Sequence, residues 1–252
     1  MRLDLSGRGA ALARHNTMLM LREPGPVISR LVQPLVLITL MRPLYLTAMH
    51  GSGGTIQVVT GMLVMFSLLA LSIVGAGIFA ERGWRTWDRL RATPARTTEL
   101  LIGKAAPALA LLIAQQAVVL GFGAAVFGLR VPDPWLLALA VGAWALALLS
   151  LGATLGAVAR SQSELNVAYD IGGILLSAMG GALVPLAELP RWAHAIAPFS
   201  PGYWAMSALR GALTGQVAGT LRASAVLAAI ALAAGALATW RVSRGWSRSR
   251  LM

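Results

Sequence analysis

The chain has 252 residues, 57% of them hydrophobic and only 12% charged, where a soluble domain carries roughly 25% charged residues; an ordinary soluble fold is excluded and an all-α integral membrane protein is expected. The formal net charge is +12, yet nucleic acid is excluded as a partner, because the arginines cluster between apolar runs rather than along one soluble face. With no cysteine, disulfides, thiol catalysis and cysteine metal sites are ruled out, and the compartment is left open.

Residues 1–26 are mixed in polarity and lack the pattern of a secretory leader. Leu12, Leu19 and Met20, set among Arg2, Arg8, Arg14 and Arg22, have the spacing of a helix lying on a membrane surface. Glu23-Pro24-Gly25-Pro26 is expected to break it. The first apolar segment, 28–46, holds only 11 residues between Arg30 and Arg42, fewer than the roughly 20 that a ~30 Å hydrocarbon core requires. It spans only if both arginines reach opposite interfaces. The second segment, 56–80, follows a Gly-Ser-Gly-Gly turn at 51–54, and no charge occurs between Arg42 and Glu81. Met62, Met65 and Phe66 on it suit an adaptable apolar lining or ordinary packing.

The densest cluster follows at Glu81–Lys104. At about 100° per residue, Trp84, Trp87 and Leu90 share one arc of a helix, and Arg82, Arg85 and Arg89 share another beside Glu81 and Asp88. Glu81 and Arg85 form an i,i+4 pair with the acid N-terminal, the favourable order. Thr93-Pro94 ends the helix, since the residue before proline leaves the α region. Such a helix belongs at a membrane surface, as a tether in lipid or as a docking element.

Further spans are expected at 105–129, 135–159, 166–187 and 222–240, six in all. Asp170 lies near the start of the fifth. It is either functional, as intramembrane acids are by default, or a first-turn carboxylate favoured by the helix dipole. Gly172-Gly173 and Gly180-Gly181 on that segment permit close helix approach or path flexibility. The stretch 188–221 is punctuated by Pro190, Pro198 and Pro201 but rich in Trp192, Phe199, Tyr203 and Trp204. Its two pieces, of about ten residues each, are too short to span, which predicts re-entrant or interfacial helices with the aromatics at headgroup depth.

Charge sets the orientation. With the N-terminus inside, 16 of the 21 Lys and Arg residues lie on inner segments and five on outer ones, so both termini and the Glu81–Lys104 stretch are expected to be cytoplasmic. The usual catalytic patterns are absent: there is no H-E-x-x-H, no G-x-S-x-G and no paired histidines. Gly103-Lys104 is no phosphate-binding loop, because Ala105 follows it and position 98 is not glycine.

Glu81-Arg82, the amphipathic turn after it, Leu90-Arg91-Ala92-Thr93-Pro94 and Gly103-Lys104 together resemble the membrane subunits of type-2 ABC transporters, the permeases of drug and polyketide exporters. Leu189-Pro190, Ala197-Pro198, Ser200-Pro201 and Ala208-Leu209-Arg210-Gly211 resemble the same family, and the similarity covers nearly the whole chain. The resemblance implies a multi-pass permease of the bacterial inner membrane. It would be paired with a second permease, identical or related, and driven by two copies of a separate ATPase. ATP and Mg²⁺ would act through that partner, with no cofactor in this chain. Glu81, Arg82, Trp84, Trp87, Arg89 and Leu90 would form the coupling helix that docks on the ATPase. The family usually carries Gly-Thr after its Glu-Arg pair, where this chain has Gly83-Trp84-Arg85-Thr86. The path would run between first, second and fifth spans, with Met62, Met65, Phe66 and Asp170 as candidates to line it. Competing readings are a secondary transporter or channel, an integral-membrane lipid-modifying enzyme using Asp170 or His194, and a permease that anchors rather than transports.

Overall fold

The computed structural model describes residues 24–49, 52–83 and 97–243, with Arg14, Thr17, Met18 and Arg22 ahead of them, and gives the backbone alone at 24, 26, 52, 80–83, 97–104 and 243. Among the described residues all regular structure is helical: α1 (Pro24–Ala48), α2 (Ser52–Leu69), α3 (Leu71–Gly83), α4 (Thr97–Phe127), α5 (Pro134–Val158), α6 (Gln162–Met179), α7 (Arg191–Ile196), α8 (Pro201–Leu213) and α9 (Val217–Ser243). Five stretches are long and apolar enough to cross a membrane: α1, α2 with α3, α4, α5 and α9.

The termini of these helices follow local chemistry. Pro24 to Pro26, expected as a break, lie in the first turn of α1, where the missing proline N–H would have no helical partner anyway. Likewise Gly53 and Gly54, expected in a turn, lie inside α2; a Cβ at Gly54 would come within 2.5 Å of the Tyr45 carbonyl oxygen, so glycine lets the end of α1 meet the start of α2. At α6 the Ser161 hydroxyl accepts from the Glu164 N–H at 3.1 Å, and the Glu164 carboxylate accepts from the Arg160 N–H at 2.9 Å, an S-x-x-E cap of the capping-box kind. α8 opens on Pro201 after Ser200, whose hydroxyl accepts from the Gly202 N–H at 3.1 Å.

Lipid supplies little hydrophobic drive between helices, so packing rests on small residues and buried polar contacts. α9 lies along α5, α8 packs on both, and α3 joins α5 from the other side. Glycine makes that last approach possible: a Cβ at Gly156 would fall 2.5 Å from the Gly75 carbonyl oxygen, and one at Gly152 would fall 2.8 Å from the Val74 Cβ. α2 is the hub of the other half, contacting α1, α4, α6 and α8. Trp144 of α5 is fully buried, and its indole N–H donates to the Ser67 hydroxyl of α2 at 2.8 Å.

The segment expected as a fifth span at 166–187 begins earlier and stops at Met179. The helix runs into Gly180-Gly181, and Gly181 takes φ +81, a backbone state that glycine adopts without strain. Residues 180–184 then fold against α2. A Cβ at Gly61 would meet the Ala182 carbonyl oxygen at 2.0 Å, the Gln57 amide donates to the Gly181 carbonyl at 2.8 Å, and the Tyr45 hydroxyl donates to that of Leu183. The expected pair of short helices after it appears as α7, a 3-10 turn at Ala197–Phe199, and α8.

Candidate functional site

The proposed coupling residues divide at the edge of the described chain. Glu81 and Arg82 belong to the last turn of α3. Trp84, Trp87, Arg89 and Leu90 lie outside the described residues, as does the expected helix stop at Thr93-Pro94. The N-terminal surface helix is described only at Arg14, Thr17, Met18 and Arg22, all helical and exposed. Of the three candidate lining residues on α2, Met62 and Phe66 are buried among core neighbours, and Met65 alone keeps part of its surface open.

Asp170 is exposed on α6, and its carboxylate acts electrostatically on Arg30 of α1. That arginine is half-buried. Its guanidinium donates to the Ser72 hydroxyl on α3 at 2.8 Å, and its carbonyl accepts from the Gln115 side chain on α4 at 3.2 Å. Ser72 in turn donates to the Leu69 carbonyl at 3.0 Å. Three elements, α1, α3 and α4, therefore meet by hydrogen bonds at one polar node on which the α6 carboxylate acts, and the node sits at a break. Around Ala70 the backbone bonding passes from Ala70 N–H to Phe66 (3.0 Å) to Ile73 N–H to Ala70 (3.0 Å), a shortened i→i−3 step. Neither proline nor glycine stands at the break; Ser72 serves the Leu69 carbonyl instead, and Arg30 holds Ser72.

A carboxylate in a membrane protein is favoured where it faces water or protein rather than acyl chains. Arg30 and Arg42 were expected to reach for opposite interfaces. Arg30 instead bonds to Ser72, and Arg42 lies over the Phe127 ring at 4.7 Å, a cation–π contact.

The node was missed in the sequence because its members are dispersed over 140 positions of chain. The available signal was polarity inside apolar runs: Ser72 and Gln115 have no role in a lipid-facing span. Gly173 permits the expected close approach, with Leu69 at 3.4 Å from a notional Cβ, and Gly180 abuts the Gly202 backbone at 2.6 Å, whereas Gly172 faces open space. Among the described residues no cluster of acids and histidines could hold a metal ion.

No curated protein matches the chain. The family model described as ABC-2 type transporter matches residues 9–214, well over half the chain and every element from α1 to α8, so the protein is a multi-pass membrane permease belonging to the ABC-2 type transporter family.

Proposed function

We propose that this chain is the membrane half of an ATP-driven exporter, pairing with a second permease and moved by a separate ATPase bound on the cytoplasmic side. The observation that carries the reading is the exposed Asp170 on α6, whose charge acts on half-buried Arg30 of α1. The same two helices expose large apolar residues, Ile28, Val32, Val36, Leu40 and Leu44 on α1 and Val167, Ile171 and Leu175 on α6. An exposed carboxylate set among apolar side chains needs a protein or aqueous neighbour rather than lipid, which a second permease across a path supplies. Met65 is the α2 candidate best placed to contribute to that path.

The break at Ala70 suggests how a docked ATPase moves the path. α3 leads into the proposed coupling helix and is packed without side-chain cushioning against α5, so a push on Glu81–Leu90 carries α3 and α5 together. Ala70 lets that pair swing relative to α2. ATP and Mg²⁺ enter only through the partner, and its closure drives the swing to the extent that it binds one arrangement better than the other.

The test is co-purification of the native complex from membranes, with any ABC ATPase recovered identified by mass spectrometry. Arg82→Glu combined with Arg89→Glu is expected to abolish recovery of the ATPase while the permease still inserts. Full recovery of the ATPase with that double variant would refute the coupling assignment.

A further inference from the structure

The outer end of the bundle holds a second polar feature that the transport reading does not use. A cavity of about 310 Å³ lies where α8 turns into α9, walled by Gly180 and Gly181 from the end of α6, by Tyr203, Ser207 and Arg210 of α8, and by Gln216. Arg210 is half-buried in it. Among the described residues no hydrogen bond or ion pair engages the Arg210, Ser207 or Gln216 side chains. Burial pushes the Arg210 guanidinium down from its ordinary value, and no carboxylate opposes that effect. A cation withdrawn from water without an anion is unfavourable, and substitution by an apolar residue would remove the penalty. The cavity is thus open and polar, with one unneutralised charge.

We propose that this cavity binds the phosphate oxyanion of a phosphodiester, with the Arg210 guanidinium as the charge-pairing group and Ser207 and Gln216 as supplementary donors. The planar fork of arginine matches two phosphate oxygens at once. At ~30 Å³ per water, the cavity has room for about ten waters, enough for a phosphate with the glycerol portion attached. Its position favours the same ligand. α9 begins its membrane crossing at Val217, one residue past Gln216, so the opening stands at headgroup depth, where phosphodiesters are the abundant anions. The bound group comes from a phospholipid of that leaflet or from a soluble phosphate ester; the chemistry is shared. That the leaflet is the outer one rests on the orientation proposed above.

The experiment uses the full-length chain in detergent, titrated with dihexanoyl phosphatidylglycerol and read by native mass spectrometry, with glycerophosphoglycerol, the water-soluble phosphodiester left when the acyl chains are removed, as a parallel ligand. Saturable binding of one lipid is expected. Arg210→Gln should weaken it about ten- to a hundredfold, as loss of a charge-assisted hydrogen bond does, Arg210→Lys less, and Arg222→Gln, exposed on α9, not at all. Lipid bound more tightly than glycerophosphoglycerol assigns the source to the bilayer, and equal binding assigns it to soluble phosphodiesters. Absence of saturable binding of either, or an equal loss in Arg210→Gln and Arg222→Gln, overturns the proposal; Arg210→Lys with native melting guards against a folding artefact. Sidedness is read separately. The chain has no cysteine, so Gln216→Cys labelled in intact cells by an impermeant maleimide reports the face. Labelling only after permeabilisation overturns the orientation, and with it the outer leaflet as source, while leaving the binding result standing.

Discussion

The α3–α5 contact makes a prediction in which neighbouring glycines respond with opposite sign. Gly156→Ala places a methyl group 2.5 Å from the Gly75 carbonyl oxygen and 2.9 Å from its Cα. Both are backbone, so relief requires the two helices to separate. Overpacking of a tight interface costs about 1–3 kcal/mol, and the upper part of that range applies where no side chain can rotate away. For a chain near this length, 1 kcal/mol moves Tm by about 2–4 °C, so Gly156→Ala is expected to melt about 4–12 °C lower. Gly75→Ala meets the Tyr169 hydroxyl at 1.5 Å, its ring carbon at 2.7 Å and the Gly152 carbonyl oxygen at 2.8 Å. That hydroxyl is buried without a hydrogen-bond partner. Tyr169→Phe is therefore tolerated alone, and it restores part but not all of the loss in Gly75→Ala. Gly77, two residues along the same helix, has nothing within 4 Å of a notional Cβ, and alanine there gains about 0.5–1 kcal/mol of helix propensity. Melting of the detergent-purified chain by circular dichroism at 222 nm distinguishes the variants. Gly156→Ala melting at or above the wild type, or Gly77→Ala losing as much as Gly156→Ala, would refute the packing argument.

Two further predictions concern buried polar contacts. Gln57→Leu strips the Gly181 carbonyl of its 2.8 Å donor, which costs about 1–3 kcal/mol for an unsatisfied buried group. Hydrogen exchange should then quicken at 180–184, and unchanged exchange there would show that Gln57 does not hold the turn. For the node at the α2–α3 break, a double-mutant cycle on Arg30→Met and Ser72→Ala should give a coupling of about 0.5–3 kcal/mol, measured by denaturation in detergent. Strictly additive effects would mean that the 2.8 Å contact contributes nothing.

The helical spans were legible because charge exclusion is a strong signal, but the ends of the helices that carry them were not. The third span, expected at 105–129, coincides with the apolar stretch Ala105–Phe127, yet α4 itself starts at Thr97; the last, expected at 222–240, is the longer stretch Val217–Val242. Charges mark where the apolar run stops, and a helix carries on through Arg222 and Arg241 once those side chains can leave the hydrocarbon. The early stop of α6 was visible as Gly180-Gly181, but glycine pairs serve packing as often as turns. Nothing at Ala70 announced a break, since alanine is the best helix former; the side chains that serve it, Ser72 and through it Arg30, stand 42 residues apart in sequence. Likewise Gln57 looks like a flaw in an apolar span until the chain returns with bare carbonyls at 181 and 182.

That division of the second span is more than a local irregularity, because its two pieces belong to different neighbourhoods. α2 keeps company with α1, α4, α6 and α8, whereas α3 packs chiefly on α5 and, to a lesser extent, on α6. A straight helix joining two packed groups would force them to move as one. A break at Ala70 with its loose carbonyl tied by Ser72 permits relative rotation at the loss of few backbone bonds. The arginine that holds Ser72 comes from α1, on the α2 side of the division, and the carboxylate acting on that arginine comes from α6. The arrangement therefore joins α1 to α3 by side-chain contacts that can exchange, while Tyr169 of α6 packs against Gly75 of α3. Close glycine packing on one side of Ala70 and a polar tie across it are complementary requirements: a force applied at Glu81 reaches α5 without slack, and the polar tie between Arg30 and Ser72 is the contact it has to exchange.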